Sequence, residues 1–333
     1  MSESDEEYGR NDMYLLNNKQ PAKLEEITFA ELGMKESDIE EILRSNVDMI
    51  CDDEESMLIV GQQVRNEKNG RSDLTAIDNN GDMILIEIKR DKKDVEGRKE
   101  SFEFQAIRYA ASCATIRSTD ELIQNVFAPY VEKHKNEFTG QAGLTSAEIA
   151  QRQLSDFIVK NGITAFNKHQ RIVLVASEFD EQTLSAVAWL NSNKVDISCY
   201  QICPYKLNGD VLLDMKKILP IVEYEEFYVN VVKKGNLTKE RSKDITRRSL
   251  PKIDALMEWN LVEPGDVLIA KGTAEEAILQ KDGQVEKSDG TISSIQQWLK
   301  GVFGWSSVQT YAFCVDKKTG RTLMDLREEY MEM

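Results

Sequence analysis

The stretch Gly70 to Arg90, GRSDLTAIDNNGDMILIEIKR, decides how the rest of the chain is read. Two strand-like runs flank Asn79-Asn80-Gly81, a reversal signal because Asn and Gly tolerate the positive φ that tight hairpins need. After the turn, Met83 to Lys89 alternates as a strand does. Ile84, Ile86 and Ile88 fall on one face; Met83, Leu85, Glu87 and Lys89 fall on the other. Glu87 and Lys89 therefore point the same way, roughly 6–7 Å apart along the strand. Asp73 sits early in the preceding strand, where the hairpin brings it beside them. Two close carboxylates repel unless a cation lies between them. Hard oxygen ligands of this kind suit Mg²⁺, which keeps water and binds phosphate. A neighbouring lysine can orient a water or offset developing charge. The constellation fits metal-assisted phosphodiester cleavage. The plainer reading is a surface hairpin with a Glu87–Lys89 salt bridge.

Composition narrows the classes. The chain has 333 residues, 41% of them hydrophobic, enough for two or three ordinary domains. The sequence has no apolar run of bilayer length and no signal-peptide pattern, so the expectation is a cytoplasmic protein with no membrane partner. The five cysteines (Cys51, Cys113, Cys199, Cys203 and Cys314) are scattered and read as free thiols, mostly in cores. With only His134 and His169, a histidine-dependent triad is disfavoured. A net charge of -16 argues against whole-surface attraction to nucleic acid, but not against a local basic groove.

Upstream, residues 1–25 read as a flexible acidic arm. Phe29 to Ile50 carries a helical pattern with Ile39, Ile42 and Leu43 as its apolar stripe. Glu36 and Glu40 lie one turn apart on one side of it. Ser56 to Arg65 reads as a strand in which Gly61 marks a bulge or close approach. Downstream, residues 91–100 form a charged loop whose Lys92, Lys93 and Arg98 are candidate phosphate contacts; a solvated loop is the alternative. Phe102 to Ile116 is helical, with Gln105, Arg108 and Tyr109 near one face.

These pieces in order resemble the PD-(D/E)xK nuclease superfamily: an acidic residue, a short hairpin, then Glu-x-Lys, here Asp73 and Glu87-Ile88-Lys89. Ser72 stands where the pattern usually has Pro. KESDIEEILRSN and the Gln105-x-x-Arg108-Tyr109 helix further resemble the archaeal and actinobacterial mismatch-cleaving endonuclease family. The resemblance implies an α/β, restriction-endonuclease-like mixed sheet flanked by helices. It implies Asp73, Glu87 and Ile88 as metal ligands, Lys89 as the catalytic lysine, and Glu36 (with Glu40 as competitor) and Gln105 as supporting residues. The expected cofactor is Mg²⁺, with Mn²⁺ substituting.

The nuclease-like domain is expected over 26–231, with a helical insertion around 117–168 in which Thr145 to Val159 is a capped helix. Within it, Arg171–Ala176, Thr183–Asn191 and Ile197–Ile202 read as strand, helix, strand, a parallel pairing. Val211–Ile218 and Glu223–Val231 follow as short extended pieces. Residues 232–252 are basic and include Lys243, Arg247 and Arg248; they read either as a solvated linker or as a phosphate-tracking hinge. Residues 253–333 read as a small α+β domain: helix Ile253–Trp259, strand Val267–Ala270, turns at Asp282-Gly283 and Asp289-Gly290, helix Ser293–Val302 and strand Thr310–Val315. This order, with Gly304-Trp305 and Leu326-Arg327, resembles the RAMA domain, which implies contact with DNA, including modified DNA. Trp305 itself reads as a packing residue ahead of a base-stacking one.

The resulting expectation is a metal-dependent DNA endonuclease of restriction/defence or repair. One active site cuts one strand, so duplex cleavage calls for a homodimer. The alternatives are a catalytically silent DNA-binding module and an acidic interaction protein of a defence system.

Overall fold

The computed structural model describes residues 13–51, 53–68, 70–91, 100–138, 143–220 and 250–332. The quoted hairpin forms as its residues require. Asp78 accepts from Gly81 N–H at 3.0 Å and its carboxylate accepts from the N–H groups of Asn80 (2.8 Å) and Asp82 (3.0 Å), tying the turn to one side chain. Gly81 takes φ 86°, and a Cβ there would stand 2.3 Å from the Ala165 carbonyl oxygen, so both conformation and space demand glycine.

In chain order, β1 (Tyr14–Asn17) and β2 (Gln20–Lys23) form a separate hairpin, and β3 (Glu25–Glu26) pairs into the main sheet. Helix α1 (Glu36–Ser45) precedes β4 (Met57–Gln62), β5 (Leu74–Asp78) and β6 (Met83–Lys89). Helix α2 (Phe102–Cys113) leads to short helical pieces at Thr119–Leu122, Ile123–Phe127 and Ala128–Lys133, then α3 (Ser146–Lys160). β7 (Gln170–Ala176), α4 (Glu181–Ser192), β8 (Ile197–Leu207) and β9 (Asp210–Leu219) complete this part. Among the described residues the main sheet has seven strands in the order β3-β8-β7-β6-β5-β4, with β9 paired to β8. β4, β5 and β6 are antiparallel; β6, β7 and β8 run parallel, as the strand–helix–strand pattern predicts. The register slips between Ile59 and Gly61, where a Cβ would meet Val64 at 2.6 Å and Val126 at 2.8 Å, so Gly61 marks both a bulge and a close approach.

The architecture is therefore a mixed sheet flanked by helices, with a second, strand-rich C-terminal region. That region has α5 (Ile253–Glu258), β10 (Val267–Ala270), β11 (Glu276–Leu279), β12 (Val285–Lys287), β13 (Ile292–Ser293), α6 (Ile295–Phe303), β14 (Cys314–Asp316), β15 (Arg321–Thr322) and α7 (Leu323–Glu332). Its sheet has its own order, β13-β12-β11-β10-β14-β15, and the two Asp-Gly turns are where the sequence puts them, with Gly283 and Gly290 at φ 79° and 81°.

Four expectations need correction. The described part of the 1–25 arm is built: Asn18 and Lys19 take φ 47° and 66°, the positive values a two-residue hairpin needs, and Leu24 packs with Cys203 and Tyr205. The helical pattern over 29–50 is cut to α1, because Gly33 sits at φ 69° and Asp38 caps Lys35 N–H at 2.7 Å. The strand expected at Thr310–Val315 begins only at Cys314, after a short helix at Thr310–Phe313 whose first residue donates to the Asp53 carbonyl at 2.7 Å. The plainer reading of a surface hairpin fails: all seven residues of β6 are buried, one face under the core that includes α1 and α3, the other under α2 and α4. Residues 146–160 accordingly contribute Ile149, Leu154 and Phe157 to the main core.

The C-terminal region docks on the sheet edge. Ser307 pairs with Met57, and Ser306 Oγ accepts from Ile59 N–H at 3.0 Å, covering the start of β4. The described acids of the preceding loop each take a cation: Asp48–Lys300 (2.5 Å), Asp53–Lys252 (3.2 Å), Glu54–Arg327 (2.6 Å) and Glu55–Arg171 (3.1 Å). Trp305 is buried against Phe157, Phe303 and Phe313, a packing residue as its composition context implies. Among the described residues, no helix is long and apolar enough to cross a membrane.

Candidate active site

The carboxylates gather where β4 ends, β5 begins and β6 ends. Asp73 lies one residue before β5. Its backbone N–H donates to Glu87 Oε1 at 3.3 Å, and its Oδ2 accepts from Ile88 N–H at 2.8 Å. Asp73, Glu87 and Lys89 are 8%, 0% and 1% exposed, so the group sits out of water. Lys89 Nζ donates to the Ile88 carbonyl at 2.6 Å and to Glu36 Oε1 at 3.4 Å. It also lies 5.3 Å from the centroid of the Phe102 ring, the first residue of α2.

The electrostatics are unbalanced toward negative charge. Burial pushes the Asp73 carboxyl up, against the pull of Lys89, and Glu36 and Glu40 push it further. Burial and then the Asp73 charge push Glu87 up as well. Glu87 Oε2 is buried with no hydrogen-bond partner among the described residues. An orphaned carboxylate oxygen beside a second buried carboxylate is what a cation site looks like without its cation.

Two acidic residues compete on α1, and they do different things. Glu36, half-buried at the first turn, pairs with Lys89. Glu40 is 2% exposed; its Oε2 accepts from Gln63 Nε2 at 3.0 Å, and its buried Oε1 has no hydrogen-bond partner among the described residues. Burial raises the Glu40 carboxyl, with the Gln63 bond opposing. Gln63 follows β4 at φ 56°, costly for a non-glycine residue, and its N–H donates to the Asp73 carbonyl at 2.7 Å. Gln63 thus ties α1 to the start of β5. Nothing in the sequence marks it, since a glutamine after a strand carries no motif. Phe102 escaped notice for the same reason.

Gln105 lies half-buried on α2, one turn beyond Phe102. Tyr109 is 8% exposed and its hydroxyl accepts from Arg71 N–H at 3.1 Å, fixing α2 to the loop before Asp73. Arg108 turns outward to Glu100. The candidate DNA contacts Lys92, Lys93, Arg98, Lys243, Arg247 and Arg248 lie outside the described residues, as does Glu223–Val231. Residues 253–333 hold 14 acids against 8 bases, so their charge does not favour a phosphate backbone. All five cysteines are free, none is exposed, and burial raises each thiol.

Among the described residues no three His, Cys, Asp or Glu side chains form a ready ligand set. Asp73 and Glu87 fit a cation that takes two carboxylates and the Ile88 carbonyl and completes its shell with water and phosphate, as Mg²⁺ does. No protein-family model matches the chain, and no curated protein matches it.

Proposed function

We propose that this chain is a Mg²⁺-dependent DNA endonuclease with a restriction-endonuclease-like core, in which Mn²⁺ substitutes. The observation that carries the reading is the buried Asp73–Glu87 pair with its orphaned oxygen, set beside the buried Lys89. The order of elements supports it: a helix with Glu36 and Glu40, a strand, the Asp73 hairpin, Glu87-Ile88-Lys89, then the helix with Gln105 and Tyr109. Asp73 and Glu87 would hold a divalent cation, which would supply Lewis acidity toward a phosphoryl oxygen and a nucleophilic water at neutral pH. Lys89 sets its amine-bearing end beside the carboxylates, where it can offset charge developing on the phosphate. Glu36 and Phe102 hold that amine. Glu40, with one oxygen fixed by Gln63, offers Oε1 to hold a water or take its proton. Desolvation strengthens each of these interactions.

The test is cleavage of plasmid, linear, branched and single-stranded DNA with Mg²⁺ or Mn²⁺, methylated and unmethylated, alongside RNA. Metal-dependent cutting that is lost in Asp73→Ala and Lys89→Ala, with unchanged circular dichroism, establishes the reading. Full activity in Lys89→Ala would sink the assigned mechanism. DNA binding with no cutting under any divalent metal would select the silent binding module. Duplex cleavage would call for a homodimer, read by sedimentation.

A further inference from the structure

The loop joining β4 to β5 carries a feature the carboxylate site does not use. Arg65 and Arg71 face each other in an isolated antiparallel bridge. The flanking hydrogen bonds, Asn66 N–H to the Gly70 carbonyl (2.9 Å) and Ser72 N–H to the Val64 carbonyl (3.0 Å), make this a non-hydrogen-bonded pair. In such a pair the Cα atoms stand only about 4.5 Å apart and the side chains leave on the same face. Like charges placed directly opposite are destabilising. Both arginines are exposed, and neither makes an ion pair or side-chain hydrogen bond among the described residues. This is unusual in a chain of net charge -16, where the basic side chains of the 48–55 loop contacts are all paired with acids.

The pair is also held rigidly. Tyr109 Oη accepts from Arg71 N–H, and a Cβ on Gly70 would stand 2.6 Å from the Tyr109 ring, so the strand is pressed against α2. Asn66 Oδ1 accepts from the N–H groups of Lys68 (3.0 Å) and Gly70 (2.9 Å), which closes the loop from inside. Two guanidinium forks that leave one face of a braced backbone pair suit a phosphate that accepts from both. Arg71 precedes Asp73 by two residues, roughly 6–7 Å along extended chain. It is also close enough to Glu40 for its charge to favour that carboxylate.

We infer that Arg65 and Arg71 form a clamp for a backbone phosphate of the DNA strand whose neighbouring phosphodiester lies at Asp73 and Glu87. The inference rests on the proposed nuclease reading. It names the element that supplies positive charge where an acidic protein needs it. The clamp reads phosphate, not bases, so it contributes affinity and register without sequence preference.

The experiment measures binding of fluorescent duplex and single-stranded DNA in EDTA, where no cutting occurs, across a salt series. Wild type is compared with Arg65→Ala, Arg71→Ala, the double variant, and Lys168→Ala, an exposed basic control just before β7 at the end of the sheet away from Asp73 and Glu87. Each arginine removed is expected to weaken binding about three- to tenfold at low salt, equally for all sequences, and to lower the slope of log K against log salt by about 1. The control keeps wild-type affinity and slope. Thermal melts check folding, and relief of the like-charge pair predicts that neither single variant melts below wild type. Unchanged affinity and slope in the double variant, with wild type still cutting, overturns the clamp and leaves the nuclease reading standing. A loss of equal size in Lys168→Ala overturns it too, because the effect is then one of overall charge. If wild type neither binds nor cuts DNA, the nuclease reading itself fails.

Discussion

Replacing Glu87 by glutamine tests the site through stability as well as activity. The amide keeps the shape of the side chain and leaves Oε1 to accept from Asp73 N–H. At the position of the orphaned Oε2 it puts a donor, and the Asp73 carboxylate that repels Glu87 becomes an acceptor for it. An unpaired buried polar atom costs about 1–3 kcal/mol, so the metal-free Glu87→Gln protein is expected to be more stable by about that amount. At about 2–4 °C per kcal/mol for a domain of this size, its melting point in EDTA rises by about 2–12 °C. With Mg²⁺ the order reverses. A cation at a hundred times its dissociation constant stabilises wild type by about 2.7 kcal/mol, whereas the variant has lost a ligand and gains little. Cleavage is lost. Differential scanning fluorimetry in EDTA and in excess Mg²⁺ reads all four states. A variant that melts lower than wild type in EDTA, or that keeps the full Mg²⁺ shift, refutes the account of Glu87 as a carboxylate held ready for a cation.

Further outcomes follow from the same geometry. Asp73, Glu87 and Glu40 all have folded-state carboxyls raised above their unfolded values. At these three groups the folded protein binds more protons than the unfolded chain above about pH 4, so their contribution to metal-free stability falls as pH rises. The Mg²⁺-induced shift grows over the same window, because the cation needs the ionised forms; melts from pH 5 to 8, with and without Mg²⁺, check both signs. Phe102→Leu removes the ring from under Lys89 while keeping the bulk, and should lower kcat roughly 2- to 30-fold with little change in KM; Phe102→Tyr should restore it. Arg327→Met takes the guanidinium from the buried Glu54 carboxylate and should cost about 3–5 kcal/mol in a denaturant melt. Gly81→Ala meets the Ala165 carbonyl at a left-handed backbone position and should destabilise by more than about 1 kcal/mol.

What could be read from the residues, and what could not, divides along physical lines. The 70–90 hairpin was legible because Asn-Asn-Gly fixes a turn and period-2 alternation fixes a strand. The parallel β7–α4–β8 unit was legible because a continuous apolar run followed by a helix leaves few other packings. Burial of both faces of β6 was not legible, since its second face is covered by α2 and α4, which arrive later in the chain. For the same reason the sequence could bring Glu36 and Glu40 to one side of a helix but not assign them. Only the fold shows that Glu36 meets Lys89 while Glu40 turns to Gln63. The residues that hold the site, Gln63 and Phe102, act by position alone and carry no pattern of their own.

The C-terminal region was expected as a separate domain, and its sheet is separate, but its packing is not. Phe157 of α3 meets Trp305 edge-on at 4.9 Å between centroids, and residues of both regions belong to one continuous core. Ser306 and Ser307 occupy backbone groups of β4 that would otherwise form an open sheet edge. Four acids of the 48–55 loop have cationic partners, two of them from beyond residue 253. Removing residues 253–333 should therefore expose that edge and the Trp305 seat and take Lys300 and Arg327 from Asp48 and Glu54. The expected product aggregates or melts well below the full chain, and its loss of DNA cleavage would say nothing about DNA reading. A truncated 1–252 chain that melts cooperatively near the full-length temperature would refute this coupling. DNA contact by the C-terminal region is better probed with exposed cations in the intact chain, such as Lys317 and Lys318. Loss of binding in Lys317→Ala/Lys318→Ala would place substrate on that surface; unchanged binding would leave the region as a brace for β4, whose far end carries the site.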